Sequence, residues 1–188
     1  MNKFWIKIYT LTAFLFIFNS VAFAADGPAS VYKVRVSKLE LDNGTSWITA
    51  FEGTSDTLDI ASVSSGSAAG NFLSGLSIPD GTYTRVRVTP SPTFTFSGRD
   101  TLNNYTTAIV GNGGGSAPTL IAAQEAEFTF TLGVVPDTNM QDFSATPITV
   151  KDGVANHKVR VSFNVSAAIQ LQGGALFPAQ PTVTMSIQ

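Results

Sequence analysis

The sequence predicts an all-β fold, a sandwich of about nine short strands, and three observations lead there. Apolar residues recur at every second position through most of the chain, the period of a strand with one buried face. Gly, Pro, Asn and Asp interrupt those runs at intervals suited to tight turns. No run carries the 3.6-residue apolar period of an amphipathic helix of useful length.

The central stretch is 76–89, LSIPDGTYTRVRVT. Pro79 fixes φ, Asp80 can bond its own backbone and Gly81 tolerates positive φ, so the chain turns sharply over 78–81. Val86 and Val88 then alternate with Arg85 and Arg87. The same valine-inside, cation-outside pattern recurs at Lys33-Val34-Arg35-Val36 and Lys158-Val159-Arg160-Val161. Were these strands neighbours, Lys33, Arg35, Arg85, Arg87, Lys158 and Arg160 would form a basic stripe able to bind anionic glycans, or a solvated face balanced by acids such as Glu125 and Glu127.

From the beginning, Lys3 and Lys7 precede an apolar run from Ile8 to Phe18, and Ala22-Phe23-Ala24 fits a small-x-small cleavage site. Residues 1–24 therefore read as a secretory signal peptide and 25–188 as one β-sandwich domain with no transmembrane segment after signal removal. The expected location is the periplasm, cell surface or medium. The absence of cysteine removes disulfides, thiolate metal sites and a cysteine nucleophile. A net charge of -2 gives no general electrostatic reason to hold nucleic acid.

Apolar parity is even at Val34 and Val36 but odd at Leu39 and Leu41, which calls for a bulge or a bend between sheets near Ser37 and Lys38. Asn43-Gly44 is a hairpin signal. A two-residue loop there sets Leu41 opposite Ser46 and Glu40 opposite Trp47, leaving Trp47, Thr49 and Phe51 on the face away from Leu39 and Leu41. Trp47 and Phe51 then form a candidate ligand patch; a longer loop would reverse the register and bury both rings. Thr57–Ile60 is a short strand, Ser62–Gly70 a loop, and Pro90 and Pro92 interrupt a ladder that Thr93–Phe96 resumes. Asn103–Val110 reads as a weak strand and Gly111–Ser116 as a flexible loop tip, without the Lys-Ser/Thr of a phosphate cradle. Ala126–Leu132 is a clean strand, and Ile148 and Val150 lead into the hairpin signal Asp152-Gly153. The odd-numbered apolar run from Val159 to Leu171 is long enough to bend or serve two sheets. Val183, Met185 and Ile187 alternate with Thr182, Thr184 and Ser186 to Gln188.

Val34-Arg35-Val36, Leu58-Asp59-Ile60, residues 78–88 and Val161–Val165, in that order, resemble an uncharacterised family of bacterial exported domains with an immunoglobulin-like or prealbumin-like sandwich. That family has a Leu/Val-Pro-Ala-Gly-Thr-Tyr-Thr turn feeding an Ile/Val-Arg strand; this chain has Asp80 in place of the alanine and no lipoprotein cysteine. The resemblance implies fold and export but no activity. Tyr83 resembles a tyrosine corner, whose phenol bonds upstream backbone; the other reading, from its odd parity against Val86 and Val88, places it beside Arg85 and Arg87 on the outer face. The run Val183-Met185-Ile187 after Gly174 is similar to the terminal strand of chaperone-usher pilins, without their penultimate tyrosine and disulfide. This likeness implies strand exchange, with Val34, Val36, Val183, Met185 and Ile187 as candidate segments.

His157, the sole histidine, has no nucleophile-elbow partner, and no carboxylate pair converges by sequence, so no catalytic, cofactor-binding or metal residue is assigned and no cofactor is expected. Arg99–Asn104 has oxygens for calcium but not the dense acidic loop of a known site. The expected function is non-enzymatic: a structural or interaction role at the cell surface, as a filament or matrix subunit. The alternative is a glycan- or other ligand-binding module using Trp47, Phe51, Tyr83 and the arginines. The candidate partners are a second copy, another surface protein or a glycan.

Overall fold

The computed structural model describes residues 26–62, 78–134 and 139–188. The signal-peptide segment, most of the Ser62–Gly70 loop and residues 76–77 of the central stretch lie outside the described residues. What is described is all-β: fifteen short strands in antiparallel sheets, with two single-turn 3-10 segments, Asn112–Gly114 and Ala122–Gln124. In chain order the strands begin β1 Ala29–Val34, β2 Val36–Asp42, β3 Trp47–Glu52, β4 Leu58–Asp59, β5 Gly81–Tyr83, β6 Arg85–Pro90 and β7 Thr93–Gly98. They continue β8 Phe128–Thr131, β9 Asn139–Asp142, β10 Ile148–Lys151, β11 Val154–Ala155, β12 Val159–Asn164, β13 Ile169–Gln172, β14 Ala175–Pro178 and β15 Thr182–Ile187.

Two long runs of chain, β1–β2 and β6–β7, lie antiparallel and pass together from one four-stranded sheet to the other. β1 pairs with β7 inside the order β4-β1-β7-β8, and β2 pairs with β6 inside β3-β2-β6-β9. The crossing is at Arg35 and Ser91, where the Ser91 amide donates to the Arg35 carbonyl at 2.8 Å. The expected bulge is there too: the β2–β6 register slips between Val36 and Lys38. Ser55 secures the bend, its Oγ accepting from the Val36 amide at 2.8 Å and its amide donating to the Val36 carbonyl at 3.0 Å.

The chain changes sheets in the same way at Thr84 and again between Asn164 and Ile169. The run through Tyr83 and Val88, read from sequence as one strand, is therefore divided, and the bends expected near Ser37 and in the run from Val159 to Leu171 are changes of sheet, which together raise the number of strand segments. The Thr84 switch inverts side-chain parity, so Tyr83 and Val86 both point inward despite their odd-even spacing.

Each four-stranded sheet covers its own core. Tyr32, Phe96 and Phe128 pack with Leu58, Ile169 and Leu176, the last two from the β13–β14 hairpin. Leu41, Val86 and Tyr83 pack with Phe143, Ile148 and Val150, and Ile187 of β15 joins them at the margin. Burial of each such side chain contributes about 1.5–3 kcal/mol. Gly98 lets the first sheet close on the chain entering β1: at φ +151°, a Cβ there would lie 2.8 Å from the Ala29 Cα.

Asp152-Gly153 forms the expected two-residue hairpin, with φ of 53° and 74° as a type I′ turn requires. Gly173-Gly174 does the same between β13 and β14. Three expectations change. The Asn43 loop has four residues, because Asp42 pairs with Trp47. Asn103–Val110 forms only isolated bridges, at Tyr105 and Val110, its backbone being satisfied by loop partners. Gly111–Ser116 is anchored instead of forming a detached tip: Ser116 is fully buried and exchanges backbone hydrogen bonds of 2.9 Å with Leu176.

Candidate functional site

The richest chemistry among the described residues lies on the outer face of β3-β2-β6-β9. Antiparallel pairing places Trp47, Asp42, Arg85 and Asp142 in one row, and Thr49, Glu40, Arg87 and Met140 in the next. The Asn43 loop sets this register. Asn43 Oδ1 accepts from the Thr45 and Ser46 amides at 3.0 and 2.9 Å, while Asp42 Oδ1 accepts from the Gly44 amide at 2.9 Å. Ile48 consequently faces Leu41 in the core and Trp47 turns outward. The expected Trp47–Phe51 pair is divided by a register shift in β3, which brings Phe51 opposite Leu39 and away from the Trp47 row.

Arg87 holds Glu40 through Nε to Oε2 at 2.5 Å and Nη2 to Oε1 at 2.9 Å, and Lys38 Nζ reaches Oε1 at 3.1 Å. Arg85 Nε donates to Asp42 Oδ2 at 2.6 Å. Above them the Trp47 ring lies 4.3 Å from the Arg87 guanidinium carbon and 5.4 Å from that of Arg85. Glu40 and Asp42 are only 6% and 3% exposed, although they point away from the core. The arginines and the indole form a single covering layer over them.

The Arg87 hydrogen bonds hold Glu40 below the ordinary glutamate range, and Glu40 in turn raises Arg87. The Gly44 amide, then Arg85, lowers Asp42; the Ser144 amide lowers Asp142. Lys38, Arg85 and Arg87 thus stand among Glu40, Asp42 and Asp142, a ladder of balanced charge.

The basic stripe is not assembled, because the repeats fall in different sheets. Arg35 sits at the crossing and donates from Nε to Thr57 Oγ1 at 2.7 Å. Lys33, in the other four-stranded sheet, bonds both Glu127 oxygens at 2.7 Å, Glu127 being one of the two acids expected to balance the stripe. Arg160 is on β12, opposite Ser186 of β15. Of the proposed stripe only Arg85 and Arg87 stay together, and both are ion-paired.

Tyr83 is excluded from any ligand surface because it is buried; its phenol donates to the Pro79 carbonyl at 2.7 Å, the upstream-backbone contact of a tyrosine corner. Asp80, the departure from the resembling family's turn, accepts from the Asp152 and Gly153 amides at 3.1 and 3.3 Å and clips the central turn to the β10–β11 hairpin. Val34 and Val36 lie on strands flanked on both sides, β1 by β4 and β7 and β2 by β3 and β6, so neither is a detachable edge. Val183, Met185 and Ile187 lie on β15, which pairs with β12 through all six of its residues. His157 stands in the bend between β11 and β12. Asp100 uses its carboxylate on the amides of Leu102 and Asn104 and on the Asn104 side chain. Among the described residues no group of three or more His, Asp or Glu converges as a metal site, and no helix is long and apolar enough to cross a membrane.

Glu40 as an acid of this site, Asp42, Met140 and Asp142 are what sequence reading missed on this face. The signal for the first two was their alternation with Leu39 and Leu41, readable once β2 is set beside the arginine strand. No family model, curated protein or solved structure matches this chain.

Proposed function

We propose that this chain is an exported, non-enzymatic protein of immunoglobulin-like or prealbumin-like sandwich architecture, acting in a structural or interaction role at the cell surface as a subunit of an extracellular filament or matrix. The observation that supports it is the β12–β15 ribbon. It pairs with no other strand among the described residues, and none of its described side chains is buried. Yet one of its faces carries Val159, Val161, Phe163, Val183 and Ile187, of which Phe163 and Ile187 touch the margins of the two cores. A strand with an apolar face, unpaired edges and few buried anchors is suited to completing a neighbour's sheet. The test is size-exclusion chromatography and negative-stain microscopy of the secreted protein from native culture. Filaments or polymers support the reading, and monomers throughout refute it.

The second reading, a glycan-binding module, draws on Trp47, which sits on an outer sheet face beside exposed Thr49. Two guanidinium groups already stack on that indole, so a sugar would have to use the uncovered part of the ring or displace them. Glycan-array binding that is lost in Trp47→Ala supports this reading; an array without signal removes it.

A further inference from the structure

Residues 101–124 contain no Asp, Glu, Lys or Arg. Within them Leu102, Ile109, Val110, Leu120 and Ile121 are 63%, 67%, 69%, 75% and 55% exposed. A built scaffold holds them outward. The amides and carbonyls of Tyr105 and Thr119 exchange hydrogen bonds of 2.7 and 2.9 Å, and the Ala117 amide donates to the Ile109 carbonyl at 2.8 Å. The buried Ser116 hydroxyl donates to the Thr107 carbonyl at 2.7 Å and accepts from the Thr107 amide at 2.8 Å. Asp100 Oδ1 accepts from the Leu102 and Asn104 amides at 2.8 and 2.9 Å. Leu120 and Ile121 follow the Tyr105–Thr119 rung, whereas Ile109 and Val110 border Ser116 and Ala117 at the far end.

We propose that this loop pair docks the protein peripherally on a lipid bilayer, with these aliphatic side chains entering the boundary between headgroups and acyl chains. Three features favour a lipid occupant. The stretch has no ion to desolvate, so burying it in an apolar phase meets no charge penalty. The hydroxyls of Thr107 and Ser116 and the rung amides are bonded within the loop, as a solvent lacking donors and acceptors requires. At the base, exposed Arg99 donates from Nη1 to the Tyr105 phenol at 3.2 Å, with its guanidinium carbon 5.8 Å from the ring. An aromatic-cation pair of this kind belongs at headgroup level, where a ring meets the interface and a guanidinium meets phosphate. Binding is apolar in origin, so zwitterionic lipid suffices.

The test is flotation of the secreted chain with vesicles of phosphatidylcholine and phosphatidylethanolamine, at low and high salt. The expected result is binding that survives high salt and falls at least tenfold in Leu120→Asp/Ile121→Asp and in Ile109→Asp/Val110→Asp. Val154→Asp, at an exposed valine on β11, should bind as the parent does. Matching melting temperatures establish that the variants fold. The proposal is overturned by a parent that does not float, by variants that float equally, or by binding confined to anionic vesicles and lost in high salt. Loss of self-association instead of vesicle binding also overturns it, because the patch would then be covered by a second copy of the chain.

Discussion

Arg87 grips Glu40 with two hydrogen bonds across the β2–β6 pair, and Trp47 lies over the guanidinium that makes them. The contact works out of sight of the core, yet Glu40 is nearly inaccessible to water. A bidentate charge-assisted pair under an aromatic cover is favoured over the same groups in solvent. Because Glu40 titrates lower folded than unfolded, the unfolded chain binds its proton first on acidification. The stabilisation is therefore fully present above the ordinary glutamate value of 4.5 and is lost as pH falls through the lowered folded value. Thermal melts across pH should show Glu40→Gln less stable than the parent near neutrality, with the gap closing in acid. A gap of constant size would mean that the loss is one of packing.

Trp47 reports on the same layer. The only other tryptophan is Trp5, in the segment read as a signal peptide, so emission from the processed chain comes from Trp47 alone. Arg87→Ala uncovers the ring face 4.3 Å from the guanidinium carbon. Its emission should move to the red and its quenching by acrylamide should rise. Unchanged spectra would place the arginine elsewhere in solution.

Tyr83 makes a separate prediction. Its phenol reaches the Pro79 carbonyl four residues upstream, so Tyr83→Phe keeps the buried ring and leaves that carbonyl without the bond. Urea denaturation should show a loss of about 1 kcal/mol. Burial, aided by Asp80, raises the Tyr83 phenol above its ordinary value of 10.0. The folded state therefore resists ionisation: this contribution is present below the unfolded value and disappears as pH rises through the folded one. Spectrophotometric titration should find a tyrosine ionising only as the protein unfolds in alkali; titration of every tyrosine before unfolding would remove the argument.

The turns and the parity break near Ser37 were legible because their causes are local. Asp152-Gly153 needs only two backbones at positive φ, and a shift from Val36 to Leu39 requires an extra residue somewhere between them. What the sequence could not reveal is which sheet a strand joins. Read against Val86 as one continuous strand, Tyr83 falls on the outer face, but the chain changes sheets at Thr84, whose amide donates to the Asp42 carbonyl. For the same reason identical Lys/Arg-Val repeats became three distant features, and the basic stripe dissolved into ion pairs. The acids that pair with Arg85 and Arg87 come from β2, some 45 residues earlier, a partnership fixed by long-range pairing rather than spacing.

Gly98 closes the first core. Its φ of +151° disfavours any L side chain, and an added Cβ meets the Ala29 Cα at 2.8 Å, a backbone atom that cannot rotate away. Gly98→Ala should cost about 2 kcal/mol or more. Gly153→Ala, where nothing lies within 4 Å, has only its positive φ of +74° to bear and should cost less. Parallel denaturation of the two separates crowding from backbone strain; equal losses would assign the whole effect to φ.

The β12–β15 ribbon is where assembly should be interrupted without destroying the subunit. Thr184 faces Ser162 across the ribbon and is exposed, so neither core contains it. Thr184→Pro removes an amide donor and restricts φ within the strand. Polymers should be lost from the secreted protein while the two cores continue to melt cooperatively. Single-cysteine variants extend the test, since the chain has no cysteine of its own. Mixed Ser162→Cys and Thr184→Cys proteins should form disulfide-linked heterodimers if β15 pairs with another molecule's β12. If only the double variant closes a bridge, and closes it within one chain, β12 and β15 stay paired at home and any filament contact through the ribbon is made by its outer edges rather than by exchange of β15.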